Sequence, residues 1–154
     1  MKTILALMLL STNAVACPML MSDWVCEGAA RDYSGKVRLN QSVYDGVTLY
    51  GLADSHSLWA DGKDHSMGER DIHNTSLLTN YRATCVSTSE LHVVLDGFLQ
   101  DDTSAVTRNE FKLKLGQDGT LSVDQVSYVK TYNRECTSRH VSTCKKASAP
   151  IRRR

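Results

Sequence analysis

Asp45-Gly46 stands between two runs in which apolar and polar residues alternate, and that alternation limits what the chain can become. Before it, Val37, Leu39 and Val43 alternate with Lys36, Arg38, Asn40 and Ser42; after it comes Val47-Thr48-Leu49-Tyr50-Gly51-Leu52. A period of two sends successive side chains to opposite faces of a strand, and Asp-Gly supplies the positive φ angles of a two-residue hairpin. A second Asp-Gly, Asp61-Gly62, divides Ser57-Leu58-Trp59 from Lys63-Asp64-His65 and predicts another hairpin. Residues 81–86 and 90–99 predict a pair across Ser87-Thr88-Ser89, with Leu91, Val93, Leu95 and Leu99 on one face.

Residues 100–105 are polar and read as a turn, after which Phe111, Leu113 and Leu115 oppose Glu110, Lys112 and Lys114. Gln117-Asp118-Gly119 then turns the chain into a strand over 121–132. In that strand the apolar phase slips from Leu121 and Val123 to Val126 and Tyr128, which predicts a β-bulge near Asp124-Gln125. Gly51 and Gly97 lie inside strands and fit the bends of a closing sheet. No helical period follows the first residues. Short connections between successive strands predict an all-β fold of about eight strands. An antiparallel up-and-down barrel, which removes both exposed edges, is the first expectation and a sandwich the alternative.

The N-terminus reads differently. Lys2 precedes the apolar run Ile4-Leu5-Ala6-Leu7-Met8-Leu9-Leu10, and Ala14-Val15-Ala16 supplies an A-x-A cleavage site. Residues 1–16 therefore read as a secretory signal peptide with the brevity of a bacterial one, and the product as exported, periplasmic or secreted. Cleavage after Ala16 leaves Cys17 first, so a lipoprotein anchored at Cys17 is the alternative, and the membrane enters only through that lipid. A polar Ser-Thr-Asn spacer and Ala14, where lipoprotein signals place Leu, favour the soluble product.

Residues 17–144 then form one domain by length. They carry 12 Lys and Arg against 17 Asp and Glu, a formal net of −5. Such a mildly acidic body argues against nucleic acid as a partner. Residues 145–154, KKASAPIRRR, lack any apolar period and read as a disordered basic tail.

Cys17, Pro18, Leu20, Trp24 and Cys26 keep the spacing of Cys-Pro-x-Leu-x-Gly-x-aromatic-x-Cys, with Ser22 where glycine is usual. The opening resembles a group of small secreted bacterial β-barrel proteins that begin in this way, for which no activity is assigned. Asp61-Gly62-Lys63, Ala83-Thr84-Cys85 with Leu91 after it, and the late Cys136 extend the likeness. It is also distantly similar to the lipocalins, whose first strand carries Gly-x-Trp. That resemblance implies a barrel in which Trp24 plugs one end. Exported inhibitors of lysozyme-type hydrolases are likewise similar in their aromatic-x-Cys opening, matched by Trp24-Val25-Cys26, but their Ser-Gly-x-x-Tyr and paired-Trp patterns are absent.

The five cysteines, Cys17, Cys26, Cys85, Cys136 and Cys144, are candidates for structural disulfides, since thiols of exported proteins pair. Cys136 and Cys144 flank what reads as a short loop, 137–143, and are expected to bond; Cys26 is left to pair with Cys85 or with Cys17. One stretch, ADSHSLWADGKDHSMGERDIH, gathers Asp54, His56, Asp61, Asp64, His65, Glu69, Asp71 and His73. A tight Asp61-Gly62 hairpin would bring His56 and His65 face to face. The spacing matches no ordered metal motif, so no metal site and no cofactor are assigned. No Gly-x-Ser-x-Gly occurs, no catalytic residue is assigned, and the chain is not expected to be an enzyme. The leading expectation is a barrel that binds a small apolar or amphipathic ligand, with Gly51, Ala53 and Ala83 as small residues lining its interior. The alternatives are a module that binds an envelope protein, such as a lysozyme-type hydrolase inhibitor, and an envelope-associated structural protein.

Overall fold

The computed structural model describes residues 16–27, 35–52, 56–72, 75–99, 102–131 and 134–148. They form β1 (Ser22–Glu27), β2 (Lys36–Tyr44), β3 (Val47–Leu52), β4 (His56–Trp59) and β5 (Asp61–Ile72), then β6 (Thr75–Ser87), β7 (Glu90–Leu99), β8 (Asp102–Leu115), β9 (Leu121–Thr131) and β10 (Arg134–Lys146). The ten strands make one antiparallel sheet in the order β4-β3-β2-β1-β10-β9-β8-β7-β6-β5. First and last strands meet in the middle of that order, so the all-β, up-and-down expectation holds. The sheet is a nearly closed barrel, and its seam lies between the consecutive strands β4 and β5.

Local chemistry explains where the chain turns. Asp45 and Gly46 have φ of 49° and 77°, the paired positive angles of a hairpin that follows the twist of β2 and β3. Asp61-Gly62 makes no hairpin. Gly62 has φ of 75°, yet the pairing runs from Asp61 opposite Thr84 to Asp64 opposite Arg82, so this Asp-Gly is a bulge at the start of β5. The Ala60 N–H bonds the Thr48 carbonyl at 2.9 Å, ending β4 on β3, and the chain passes straight into β5, which pairs with β6 instead.

Other expectations are corrected. Residues 102–105, read as a turn, open β8, and 137–143, read as a loop, lie inside β10. β9 pairs with β8 and β10 in unbroken register, so no bulge occurs at Asp124-Gln125. Leu121, Val123, Gln125, Ser127 and Val129 share the inner face, which simply turns polar halfway along. Lys145 and Lys146 pair with Val25 and Trp24, and the Ala147 N–H reaches the Asp23 carbonyl at 2.8 Å, so the barrel domain extends beyond 144. Residues 149–154, and residues 1–15 of the expected leader 1–16, lie outside the described residues.

The core occupies one end of the barrel. Leu20, Trp24, Leu39, Tyr50, Leu58, Tyr81, Ala83, Leu91, Val93, Leu121 and Cys144 are buried there. Trp24 is wholly enclosed, and its Nε1–H donates to the Leu20 carbonyl at 3.0 Å, satisfying the one polar atom of the ring. The Tyr50 hydroxyl donates to the Pro18 carbonyl at 2.6 Å, and burial pushes its pKa far above the usual phenol range. Ala83 lines the interior as expected. Gly51 does not: Tyr50 beside it points inward, so Gly51 faces out.

Disulfides join Cys17 to Cys85 and Cys26 to Cys144. Cys26 and Cys144 face one another across β1 and β10. The expected Cys136–Cys144 bond is ruled out by the strand itself, because the extended backbone separates their Cα atoms by roughly 27 Å. Cys136 is a free, exposed thiol. Two disulfides fit an oxidising, exported setting.

Candidate functional site

The strands differ in reach, and the difference creates a surface. β1 pairs with β10 only from Thr143 to Lys146, whereas β9 pairs with β10 from Arg134 to Cys144. Above the packed base, therefore, β5–β10 stand as a curved half-barrel whose inner face is not packed against a facing strand among the described residues. The fully buried side chains end at about Tyr81 and Val93; beyond them Leu95 and Phe111 are partly buried against the core, and the remaining inward side chains are partly exposed.

Those positions mix two chemistries. Leu77, Leu95, Leu99, Phe111 and Val129 are apolar. Among them, the Ser127 hydroxyl donates to Asn109 Oδ1 at 2.7 Å and accepts from Gln125 Nε2 at 3.0 Å. Asn109 sits directly opposite Ser127, and Phe111 opposite Gln125, on β8 and β9. A hydroxyl and two carboxamides bonded to one another on a half-exposed apolar wall keep free donors and acceptors for a visitor. Gly97 permits this packing: a Cβ there would lie 2.5 Å from Thr107 Oγ1 and 3.4 Å from Leu77 Cδ1. The ladder slips at this point, between Gly97 and Phe98, which bends β8 at the rim.

The seam holds a second cluster. His65 stacks between Trp59, at 6.4 Å, and Tyr81, at 5.1 Å, while Tyr44 meets Trp59 edge-on at 5.7 Å. Asp61 Oδ1 lies 2.9 Å from His65 Nε2. Partial desolvation pulls the Asp61 pKa up, but the bonds from His65 and from the Lys63 N–H outweigh it and hold the carboxyl below its ordinary range. The Tyr81 hydroxyl accepts the Trp59 N–H at 3.1 Å and donates to the Ser57 carbonyl at 3.4 Å. Leu58 and Ala60 turn their backbone groups toward β3, so Ser57 and Trp59 turn theirs to the open edge. One phenol thus takes the place of a neighbouring strand. These rings close the crack in the wall, and their role is architectural.

The ligand-rich stretch of the sequence is accounted for by this edge. β5 pairs only with β6, carries two bulges, and presents Asp61, Lys63, Asp64 and Glu69, the usual means of keeping an edge strand from pairing with another chain. His65 faces the rings of Trp59 and Tyr81, and among the described residues no group of three metal-ligating side chains forms. The side chains of Asp54, His56, Asp71 and His73, and all of Ala53, lie outside what is described. His92, on the outer face, bonds Glu90 at 2.6 Å.

The five cysteines and Trp24 all belong to strands or to the segment entering β1, and all but Cys136 lie at the base. Asn109, Gln125 and Ser127 were not singled out from sequence. Their signal was the phase slip in β9, since polar residues at inward positions look like a change of register. On the outer face four arginines fork onto aspartates of the neighbouring strand: Arg38 on Asp23, Arg82 on Asp64, Arg108 on Asp96 and Arg139 on Asp124. Each adds little stability but favours one alignment of strands. No family model, curated protein or solved structure matches the chain.

Proposed function

We propose that this chain is an exported, non-catalytic binding protein that takes a small amphipathic molecule against the concave face of β6–β9. The observation that carries the reading is the wall itself: Leu77, Leu95, Leu99, Phe111 and Val129 surround the hydrogen-bonded set Asn109, Ser127 and Gln125. Small-molecule sites are concave, mostly apolar and oriented by a few polar groups. The wall adjoins the packed base, on whose core Leu95 and Phe111 rest. The leader over 1–16 delivers the protein to the periplasm or the exterior, where both disulfides form.

The Cys17–Cys85 disulfide supports a product without lipid at Cys17, since a sulfur already bonded to its own Cβ and to the Cys85 sulfur has no thiol left to carry a thioether-linked lipid. The test is titration of the oxidised, mature protein with lysophosphatidylcholine below its micellar concentration, read by displacement of anilinonaphthalene sulfonate. Saturable one-site displacement is expected, weakened about tenfold or more in Leu95→Asp, a loss of at least ~1.4 kcal/mol. Equal binding by wild type and Leu95→Asp, or none by either, rejects the reading.

A further inference from the structure

We infer, resting on the binding reading above, that the ligand is an uncharged amphiphile of the acylglycerol type, whose ester and hydroxyl groups meet Asn109 and Gln125. The polar set on the wall has a direction. Gln125 Nε2 donates to Ser127 Oγ at 3.0 Å, and Ser127 Oγ donates to Asn109 Oδ1 at 2.7 Å. The hydroxyl has then used its only proton, and each carboxamide has used one of its two ends. Asn109 Nδ2 and Gln125 Oε1 have no partner among the described residues. The wall therefore offers an N–H donor at one end of this chain of bonds and a carbonyl acceptor at the other.

The ladder sets where these two groups stand. Asn109 lies between Leu95 on β7 and Ser127 on β9, and Gln125 stands opposite Phe111, one inward position along. Asn109 and Gln125 are thus diagonal neighbours across β8 and β9, with Cα atoms ~7–8 Å apart. A visitor that meets both needs an accepting oxygen and a donating hydroxyl a few bonds apart. It also needs an apolar chain to lie on Leu95 and Phe111. A glycerol ester of a fatty acid carries its groups in that order: chain, ester carbonyl, hydroxyls.

Charge separates this class from other amphiphiles. β8 carries Arg108, Glu110 and Lys112, and β9 carries Asp124, all at the alternate positions that face outward. There Arg108 bonds Asp96, and Asp124 bonds Arg139. The inward neighbours of the polar set on β7–β9, namely Leu95, Thr107, Phe111 and Val129, are uncharged. His140, opposite Gln125 on β10, is the one ionisable side chain bordering the set among the described residues. A carboxylate or ammonium moved from water onto carboxamides finds no counter-charge on β7–β9, a far larger loss than an ester or hydroxyl suffers. Lysophosphatidylcholine meets the wall as the same class, since its ester and hydroxyl come before a charged group that stays in water.

The test is calorimetric titration of the oxidised, mature protein with three ligands of one chain length, each below its micellar concentration. These are 1-monododecanoylglycerol, dodecanoate and dodecyltrimethylammonium, at about pH 8, where the carboxyl is ionised. The glycerol ester is expected to bind at one site, about tenfold or more tighter than either ion. Asn109→Asp keeps an acceptor for the Ser127 hydroxyl and replaces the free donor by a negative charge. In that variant the glycerol ester is expected to bind about tenfold more weakly, and the ammonium about tenfold more tightly, than in the wild type. A gain of this kind cannot come from misfolding, which would weaken all three. Either ion binding the wild type as tightly as the ester, or no gain for the ammonium in Asn109→Asp, overturns the inference and leaves the apolar wall standing. Binding of none of the three, or binding that Leu95→Asp leaves unchanged, removes the wall as a site and the inference with it.

Discussion

Tyr81→Phe tests whether a single hydroxyl closes the seam. The ring stays, so the stack with His65 and the packing against Leu58 and Ala83 are kept; only the oxygen is lost. That oxygen accepts the Trp59 N–H at 3.1 Å and donates to the Ser57 carbonyl at 3.4 Å. The second contact is long and contributes little. The first leaves a partly buried backbone donor with no partner, at a cost of ~1–3 kcal/mol. We expect about 1.5 kcal/mol of lost stability, near the lower end because Trp59 is not fully enclosed. For a domain of this size that corresponds to a fall in Tm of roughly 4–6 °C. Urea unfolding followed by tryptophan fluorescence measures the first quantity, and hydrogen exchange at the Trp59 amide locates it. An unchanged midpoint together with unchanged exchange at Trp59 would show that water or another group serves this edge, and that the phenol is only filler.

Two further expectations concern the base and the outer face. Replacing Cys26 and Cys144 together by Ala opens a loop of sequence separation 118; the chain-entropy relation gives about 4.9 kcal/mol, and we expect ~2–5 kcal/mol because β1 still pairs with β10. A loss below that range by urea titration would mean that the strand pairing alone fixes the base. Acid should also weaken the fold. Hydrogen bonds from Arg82 to Asp64, Arg139 to Asp124 and His92 to Glu90 hold these carboxyls below their ordinary range. A depressed folded-state pKa gives stability that is present above the unfolded value, near pH ~4, and lost as pH falls through the folded one. The urea midpoint is therefore expected to be level above about pH 5 and to drop steadily below about pH 4, and a level midpoint down to about pH 2.5 would contradict the pairing.

The period-two runs made β2, β3, β7 and the end of β8 legible because one face of each is packed and the other is wet. Asp45-Gly46 was legible for the same local reason. Asp61-Gly62 was not, since the same dipeptide serves a hairpin or a bulge and only the partner strand decides between them. β10 was hidden: residues 134–142 are nearly all exposed, so no apolar face marks them, and among the described residues their strand partner is β9. The cysteine connectivity depended on that hidden strand. Once 137–143 is extended, Cys144 can only look sideways to β1, where Cys26 stands opposite.

The wall proposed to bind a ligand was illegible for a related cause. Sequence patterns report the contrast between buried apolar and exposed polar faces, and a concave surface open to water has neither. Asn109, Gln125 and Ser127 occupy inward positions at which a packed barrel would hold Leu or Val, and their hydrogen bonds to one another lower the cost of that placement. Stability is supplied elsewhere. Trp24, Tyr50, both disulfides and the shorter strands are gathered at the base. The longer strands are thereby released from filling a core, which is what the proposed contact of their inner face with a ligand requires.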